Sequence, residues 1–408
     1  MRENFGTFAP NLSLPIHRWF RFPAGFSGEW VQKVLATHAR PDLNVLDPFA
    51  GTATTLVAAQ QVGVQSIGLE PHPFLSRVAK AKLYWTTDPQ ELGRADQHVL
   101  SETRPLRTVP IAPLLRECYP ATTLAELFGF RETIRQFDSS DGTRALLWLG
   151  LMAILRKCSP VGTAQWQYIL PNRRKSAVAH PKAALRDQLG RMVEDMRICQ
   201  RGGAPGRAVL YAEDARGSES LPANWADLVV TSPPYPNNYD YADAVRLELT
   251  FLGEISEWGD LSSRIRPFLI RSCSQHVGSG SFEALLDSPT LAVIHDELQV
   301  AYSKLSAERD RHGGRKTYHS MVVAYFHDLA GVWRELRRAC RSGSRVCFVV
   351  GDSAPYGIHL PVEQWLGELA VSLGFRDWKF EKLRDRNTKW LNRKHRIPLK
   401  EGLLWVDG

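Results

Sequence analysis

The sequence predicts a doubly wound, Rossmann-like α/β fold with a sheet of seven strands and helices on both faces. Residues 44–49 (NVLDPF) form a short apolar run that breaks at a glycine turn into a helical pattern, and a second apolar run follows at residues 65–70 (QSIGLE). A doubly wound sheet begins with strand, glycine turn, helix and strand in this order. Five further apolar runs lie at residues 207–214, 225–235, 344–353, 377–383 and 402–406. Seven strands are therefore expected.

Two insertions interrupt this strand pattern. Residues 86–206 have mostly helical spacing, and residues 254–319 form a second, shorter insertion in which residues 306–316 (SAERDRHGGRK) are expected to be a loop. Either insertion is a candidate for contacting a large partner. The clearest helical segments of the first insertion are residues 121–137, 143–158 and 180–200. The sheet-forming unit is then predicted to comprise residues 1–85, 207–253 and 320–408.

The composition excludes several classes of protein. Hydrophobic residues make up 44% and charged residues 23%, as in ordinary folded domains. No run approaches the roughly 18 apolar residues that cross a bilayer, and the N-terminus lacks the pattern of a signal peptide, so a cytoplasmic location is expected. The six cysteines are scattered without a CxxC pair, which predicts neither a metal site nor a disulfide framework.

The positive charge is concentrated in two stretches. The net charge is +8, which favours a polyanionic partner. Residues 151–210 contain eleven Lys or Arg against three acids, and residues 382–400 contain eight against one. Such runs are equally typical of a solvated surface. The candidates for contacts with nucleic-acid phosphates are Arg173, Arg174 and Lys175, with Trp166 and Tyr168 nearby, and the second track Arg384, Arg386, Lys389, Arg393 and Lys394.

Glycine and acids at the predicted strand ends indicate a nucleoside cofactor. Ligands of open α/β sheets bind at the carboxyl ends of the strands, where Glu70 can accept hydrogen bonds from both hydroxyls of a ribose. Asp214 can accept one from an exocyclic amine such as that of adenine. The patterns GxGxxG and GxxxxGK[ST] are absent, so an adenosyl cofactor without a phosphate chain fits better than NAD or ATP. The turn after the first strand comprises Asp47, Pro48, Phe49, Ala50, Gly51 and Thr52.

The most specific signal is TSPPY at residues 231–235, directly after the apolar run WADLVV. Two prolines remove two backbone donors and fix two φ angles, so the strand must end there with outward-pointing carbonyls. A planar base that has left its duplex could stack on Tyr235 while its exocyclic amine donates to Ser232 Oγ and to the carbonyl of Pro233. The alternative is a rigid turn without chemistry.

These motifs resemble those of the amino-methyltransferases of DNA. TSPPY resembles their catalytic motif in the SPPY form of the cytosine-N4 branch, whereas the adenine-N6 branch more often has DPPY. LDPFAGTATT resembles the cofactor-binding turn, and Glu70 and Asp214 stand where the family has its two strand-ending acids. RWFRFPAGFSGEWV (residues 18–31) resembles the motif that helps hold the methionine part of S-adenosylmethionine, which assigns Phe22 to the cofactor.

The resemblance implies a Rossmann-like methyltransferase sheet, S-adenosylmethionine as cofactor and double-stranded DNA as substrate. It places catalysis at Ser232, Pro233, Pro234 and Tyr235 and makes a cognate restriction endonuclease a candidate partner. The chain departs from the family at Ala53, where a glycine is common. An alanine there costs about 1 kcal/mol or more if the position needs φ > 0.

Three functional hypotheses remain open. N4-methylation of cytosine is preferred, N6-methylation of adenine or methylation of RNA is the second, and a nucleic-acid-binding protein that has lost its cofactor is the third. A C5-cytosine nucleophile is excluded because no cysteine follows a proline. Asn237, Asn238 and Tyr239, in the loop after the motif, are predicted either to contact the flipped base or to pack the loop.

Overall fold

The computed structural model describes residues 8–164, 168–277, 282–386 and 398–408. Within these ranges the chain is a mixed α/β structure, and the strands match the seven predicted runs with one additional pair. The strands are β1 (Asn44–Asp47), β2 (Gln65–Leu69), β3 (Val161–Thr163), β4 (Ile169–Arg174), β5 (Ala208–Tyr211), β6 (Ala226–Thr231), β7 (Cys340–Gly351), β8 (Asp377–Arg386) and β9 (Leu399–Asp407).

Seven of these strands form one sheet in the order β5-β2-β1-β6-β7-β9-β8. The pairs from β5 to β7 are parallel, and β9 runs antiparallel to both β7 and β8. The predicted seven-stranded Rossmann-like sheet is therefore confirmed. The chain moves outward in one direction from β1 to β2 and β5, and in the other from β6 to β7. The point where the direction changes, between β1 and β6, is where open α/β sheets bind ligands.

Helices cover both faces of the sheet. One face packs against α1, because Val45 and Val230 share a buried cluster with Trp30. The other packs against α12 and α13, because Leu46 and Val229 share a cluster that includes both helices. Strands covered on both sides are buried along their whole length, as β1 and β6 are. The α-helices are α1 (Gly28–Thr37), α2 (Thr54–Gln61), α3 (Pro73–Leu83), α4 (Pro89–Glu102), α5 (Pro113–Cys118), α6 (Ala121–Gln136), α7 (Asp141–Cys158), α8 (Pro181–Cys199), α9 (Arg246–Leu252), α10 (Asp260–Arg264), α11 (His295–Arg311), α12 (Tyr318–Ala339) and α13 (Val362–Ser372).

The first insertion packs directly onto the sheet-forming unit. Leu127 of α6 and Leu146 of α7 belong to the same buried cluster as Leu56 of α2 and Phe74 of α3. The predicted boundary near residue 86 thus marks a change of pattern in the sequence and not a gap in the core.

Two local expectations need correction. The first insertion contains the antiparallel hairpin of β3 and β4, which the helical reading missed because β4 ends in exposed polar residues without alternation. Half of the predicted loop 306–316 is helical, because α11 continues to Arg311. An ion pair between Glu308 and Arg311 at helical spacing and the burial of Leu305 favour that continuation. No α-helix of the described residues is long and apolar enough to cross a membrane.

Candidate active site

A cleft opens at the switch point of the sheet, at the carboxyl ends of β1, β2, β5 and β6. Its empty volume is about 640 Å³, including the part open to solvent. Six of the predicted cofactor residues line it together with two residues of the TSPPY motif. These are Phe22, Pro48, Phe49, Gly51, Glu70, Asp214, Ser232 and Pro234.

The turn after β1 brings its backbone close to the cleft through two residues in the left-handed region. Gly51 has φ +53°, and Ala53, which precedes α2, has φ +66° and ψ +36°. Ala53 therefore does need a positive φ, and an alanine in this conformation has a steric cost of roughly 1–2 kcal/mol. Its methyl group is fully buried, which offsets part of that cost.

Glu70 closes this turn. Its Oε2 accepts from the Gly51 N–H (2.8 Å) and its Oε1 from the His72 N–H (2.9 Å). Burial raises the pKa of Glu70 to about 8, although the two backbone hydrogen bonds oppose the shift. In either protonation state each carboxyl oxygen keeps a lone pair besides the one used by the backbone N–H, so the group can still accept from a ligand in the cleft.

Three other predicted cofactor residues, Asp47, Ala50 and Thr52, lie beneath the cleft and do not line it. Asp47 accepts from the Thr231 hydroxyl and from the Phe49 N–H. Burial raises the pKa of Asp47 to about 6, against the effect of these hydrogen bonds. Asp47 thus ties the turn after β1 to the strand that carries TSPPY, and it acts on the cleft through that turn.

Asp214 lines the cleft but is already paired. Arg216 binds its carboxylate through the backbone N–H and through the guanidinium, and the same guanidinium contacts Asp328 at 3.2 Å. An exocyclic amine would therefore share this carboxylate with Arg216.

Phe22 reaches the cleft from an N-terminal segment that the first insertion anchors. Asp195 of α8 is fully buried and accepts from the Ile16 N–H, from Arg18 and from the Trp19 indole N–H (2.9 Å). A carboxylate with this many donors fixes the segment that leads to Phe22.

The TSPPY motif leaves β6 at Thr231 and turns toward β7. The hydroxyls of Ser232 and Tyr235 both donate to the Val349 carbonyl at 3.2 Å. Pro233 is buried, and Pro234 faces the cleft. The Arg386 guanidinium lies 5.0 Å from the centre of the Tyr235 ring, so one face of that ring has a cationic neighbour.

The loop after the motif consists mainly of packing groups. Tyr239 is buried against Tyr168 and Tyr241, with ring centres 5.7 and 4.7 Å away. Asn238, at φ +66°, accepts from the backbone and hydroxyl of Ser274. Asn237 is exposed. For Tyr239 the observed position favours the packing alternative, whereas Asn237 is accessible to a ligand.

The predicted phosphate contacts differ in their surroundings. Arg173 and Arg174 are exposed on β4, but the Lys175 ammonium donates to the Arg156 carbonyl at the end of α7 and is partly buried. Of the second track, Arg384 binds the buried Glu401 at 2.7 Å. Trp166, Lys389, Arg393 and Lys394 lie outside the described residues.

The sequence did not single out several residues that line the cleft. Phe268, Leu269 and Ile270 come from the second insertion, which therefore forms a wall of the cleft. The His72 Nδ1 accepts from the Phe74 N–H at the start of α3, which places the ring proton on Nε2. Burial lowers the pKa of His72 to about 4, so the ring is neutral, and its Nε2 has no hydrogen-bond partner among the described residues. Its position two residues after a strand-ending acid was the available signal.

Comparison with known proteins supports the assignment of the motifs. Residues 6–81 match the family model described as DNA methylase. The type II methyltransferase M.BsoBI of Geobacillus stearothermophilus is 25% identical over 443 residues, an alignment that covers 98% of this chain and 87% of that protein. The type II methyltransferases M.AvaI of Nostoc sp. and of Anabaena variabilis are each 24% identical over 403 residues, covering 90% of this chain and 81% of theirs.

The matched N-terminal segment contains Phe22, the glycine turn and Glu70, and the longer similarities extend across TSPPY and both insertions. Motifs, sheet topology and comparisons agree, and together they support an S-adenosylmethionine-dependent DNA amino-methyltransferase family for this chain.

Proposed function

We propose that the protein is a site-specific DNA methyltransferase that transfers a methyl group from S-adenosylmethionine to the N4 amine of a cytosine flipped out of its duplex. The observation that carries the proposal is the position of Ser232 and Pro234 in the same cleft as Gly51 and Glu70. A base held at the TSPPY motif and a nucleoside held at Glu70 would be neighbours in that cleft.

The cleft suits an adenosyl cofactor. Glu70 offers lone pairs to two ribose hydroxyls, and the His72 Nε2 offers a donor that has no partner among the described residues. Asp214 stands at the end of the cleft formed by β5, where it can accept from an amine. When bound, S-adenosylmethionine supplies an electrophilic methyl group. Phe22, Pro48, Phe49 and Gly51 provide the remaining lining, and Asp47, Ala50 and Thr52 support the turn from below.

The hydrogen bond from Ser232 to Val349 orients the serine for its role. Because the hydroxyl proton points to the Val349 carbonyl, the Oγ lone pairs remain available to accept from the amine of the target base. The Pro233 carbonyl accepts the second amine proton. The amine lone pair of cytosine is delocalised into the ring, and these two hydrogen bonds favour its localisation on nitrogen. Positioning of the nitrogen for in-line attack supplies most of the rate, and no covalent intermediate is needed.

The target base stacks on Tyr235, either on the ring face away from Arg386 or after displacing the guanidinium. Burial raises the pKa of Tyr235, so its phenol stays neutral and continues to donate to the Val349 carbonyl. This donation holds the ring in one orientation.

DNA binds by phosphate contacts from the exposed β4 residues Arg173 and Arg174. Asn237 lies on the loop that leaves the TSPPY motif and is a candidate contact for the strand that carries the target base. Lys175, Asn238, Arg393 and Lys394 remain weaker candidates. Since the similar proteins are named type II methyltransferases, we place this chain in a restriction-modification system, with a cognate endonuclease as its partner.

The test is to express the protein in a host without cytosine-N4 methylation, digest its DNA to nucleosides and identify the modified one by mass spectrometry. N4-methylcytosine is expected, and single-molecule sequencing of the same DNA gives the recognition site. The Ser232→Ala variant, which loses the amine acceptor, is expected to lower methylation at least about a hundredfold.

Other outcomes separate the alternatives. N6-methyladenine in place of N4-methylcytosine would overturn the assignment of the base and leave the family assignment intact. The third alternative predicts a protein that binds duplex DNA, does not bind S-adenosylhomocysteine in calorimetry and leaves no methylated nucleoside. Such a result would identify a nucleic-acid-binding protein that has lost its cofactor.

A further inference from the structure

A buried charged group connects the loop after TSPPY to the wall of the cofactor cleft. Asp240, five residues beyond Tyr235, is buried, and its Oδ1 accepts from the backbone N–H groups of Ala242 and Asp243. Its own N–H donates to the Tyr168 hydroxyl at 2.7 Å. These contacts tie the end of the loop to the residues that follow it and to the β3–β4 hairpin.

The opposite contacts come from the second insertion. Arg266 donates to Asp240 Oδ2 through Nε and Nη2, at 3.2 and 2.7 Å. The His276 Nε2 lies 3.2 Å from Asp240 Oδ1, and its Nδ1 lies 3.1 Å from the Ile270 carbonyl. Ile270 lines the cleft. One imidazole ring thus bridges two parts of the site. One is the loop after TSPPY, which we call the target-base loop. The other is the cleft-lining segment Phe268 to Ile270, which we call the cofactor wall.

The partners of His276 determine its protonation state. Both ring nitrogens face oxygen acceptors, and a neutral imidazole can donate from only one nitrogen. Burial opposes the charged form, but the hydrogen bonds to Asp240 and Cys273 outweigh it and raise the pKa of His276 to about 9. Burial would likewise raise the pKa of Asp240, but His276 and Arg266 hold it at about 2. The charged or titratable groups around the ring are Asp240, Arg266, Cys273, Tyr168 and Asp243.

We infer that His276 is a positioning residue that, as an imidazolium, holds the target-base loop and the cofactor wall in register. The inference rests on the proposed function, because it assigns the loop to the base and the wall to S-adenosylmethionine. A group raised in pKa on folding keeps its contribution below the unfolded value and loses it as the pH rises through the folded value. Both hydrogen bonds of the His276 imidazolium are therefore present at neutral pH, and one of them is lost above about pH 9.

Two isosteric variants separate the two contacts. His276→Gln places an amide near Nε2 and keeps the donation to Asp240, so it should loosen the Ile270 wall and weaken binding of S-adenosylhomocysteine about tenfold. His276→Asn places an amide near Nδ1 and keeps the donation to Ile270, so it should leave that affinity within about threefold and lower kcat about tenfold or more. A small displacement of a positioned group has effects of this size.

The measurements are calorimetry with S-adenosylhomocysteine between pH 7 and 10 and turnover on DNA that contains the identified site. Wild type should lose more affinity through about pH 9 than His276→Gln, because the titration of Glu70 affects both proteins equally and only wild type also loses the imidazolium. His295→Gln, at a half-exposed histidine on α11 outside the cleft, is the matched control and should behave as wild type.

The inference is overturned if the two His276 variants keep affinity and kcat within twofold of wild type. It is also overturned if the variants lose affinity and kcat equally with no change in the pH profile, since a purely structural role predicts that result. If wild type does not bind S-adenosylhomocysteine at any pH, the proposed function fails instead.

Discussion

Both insertions are rich in arginine, with 14 in residues 86–206 and six in residues 254–319, but one pair of arginines in each lies in opposite surroundings. In the first, Arg173 and Arg174 are exposed on a hairpin strand. In the second, Arg266 is buried on Asp240, and Arg271 is bound to the buried Asp328 at 2.6 Å. The short segment between Arg266 and Arg271 contains the three residues that line the cleft. Charge composition therefore does not identify a DNA-contacting surface. A buried, paired arginine stabilises the fold, whereas an exposed arginine is free to bind a phosphate.

The largest expected effect is the loss of stability in the Arg266→Ala variant. The substitution leaves the Asp240 carboxylate buried with one of its two cationic partners removed, and a broken buried pair costs about 3–5 kcal/mol in the free energy of unfolding. Urea unfolding followed by circular dichroism measures it. Arg264→Ala, two residues away and exposed, is the control and should change stability by less than about 0.5 kcal/mol. Equal, small losses in the two variants would show that the second insertion is not fastened by its charges.

The next effect concerns the first insertion. The double variant Arg173→Ala, Arg174→Ala should leave stability unchanged but reduce the salt dependence of DNA binding, with the slope of log K against log [salt] falling by about 0.9 for each lost phosphate contact. Fluorescence anisotropy with a labelled duplex in increasing salt measures the slope. Lys175→Met is the matched control, because that ammonium is held by the Arg156 carbonyl. A reduced slope in the control alone would reverse our assignment of the contacts.

The smallest effect is expected outside both insertions, at Ala53. Ala53→Gly relieves a left-handed conformation worth roughly 1–2 kcal/mol, but it also removes a fully buried methyl group worth about 0.8 kcal/mol. The net expectation is a stabilisation of about 0.5 kcal/mol, measured by urea unfolding against Ala50→Gly at a neighbouring buried position without positive φ. A destabilised Ala53→Gly protein would mean that burial of the methyl group outweighs backbone strain here.

The fold and the centre of the site could be predicted from the sequence, because their signals are local. The apolar runs at β1, β2 and β6 are buried on both faces and carry the required hydrophobicity in consecutive residues. Glu70 and Ser232 each follow such a run directly, Gly51 lies in the turn after β1, and parallel strands bring their carboxyl ends to one edge. The hairpin of β3 and β4 gave no such signal, since its strands are short and largely exposed.

The sequence by itself determined which motif follows each strand, including the double-proline end of β6 and the acids at the strand ends. Each of these features depends on residues adjacent in the chain. Only the tertiary structure decided that Phe268 to Ile270 form a wall of the cleft, that Asp195 anchors the segment leading to Phe22, and that His276 lies between Asp240 and the Ile270 carbonyl. Such contacts join residues far apart in sequence, and whether a charge is buried and paired or exposed to solvent depends on the packing of the whole chain.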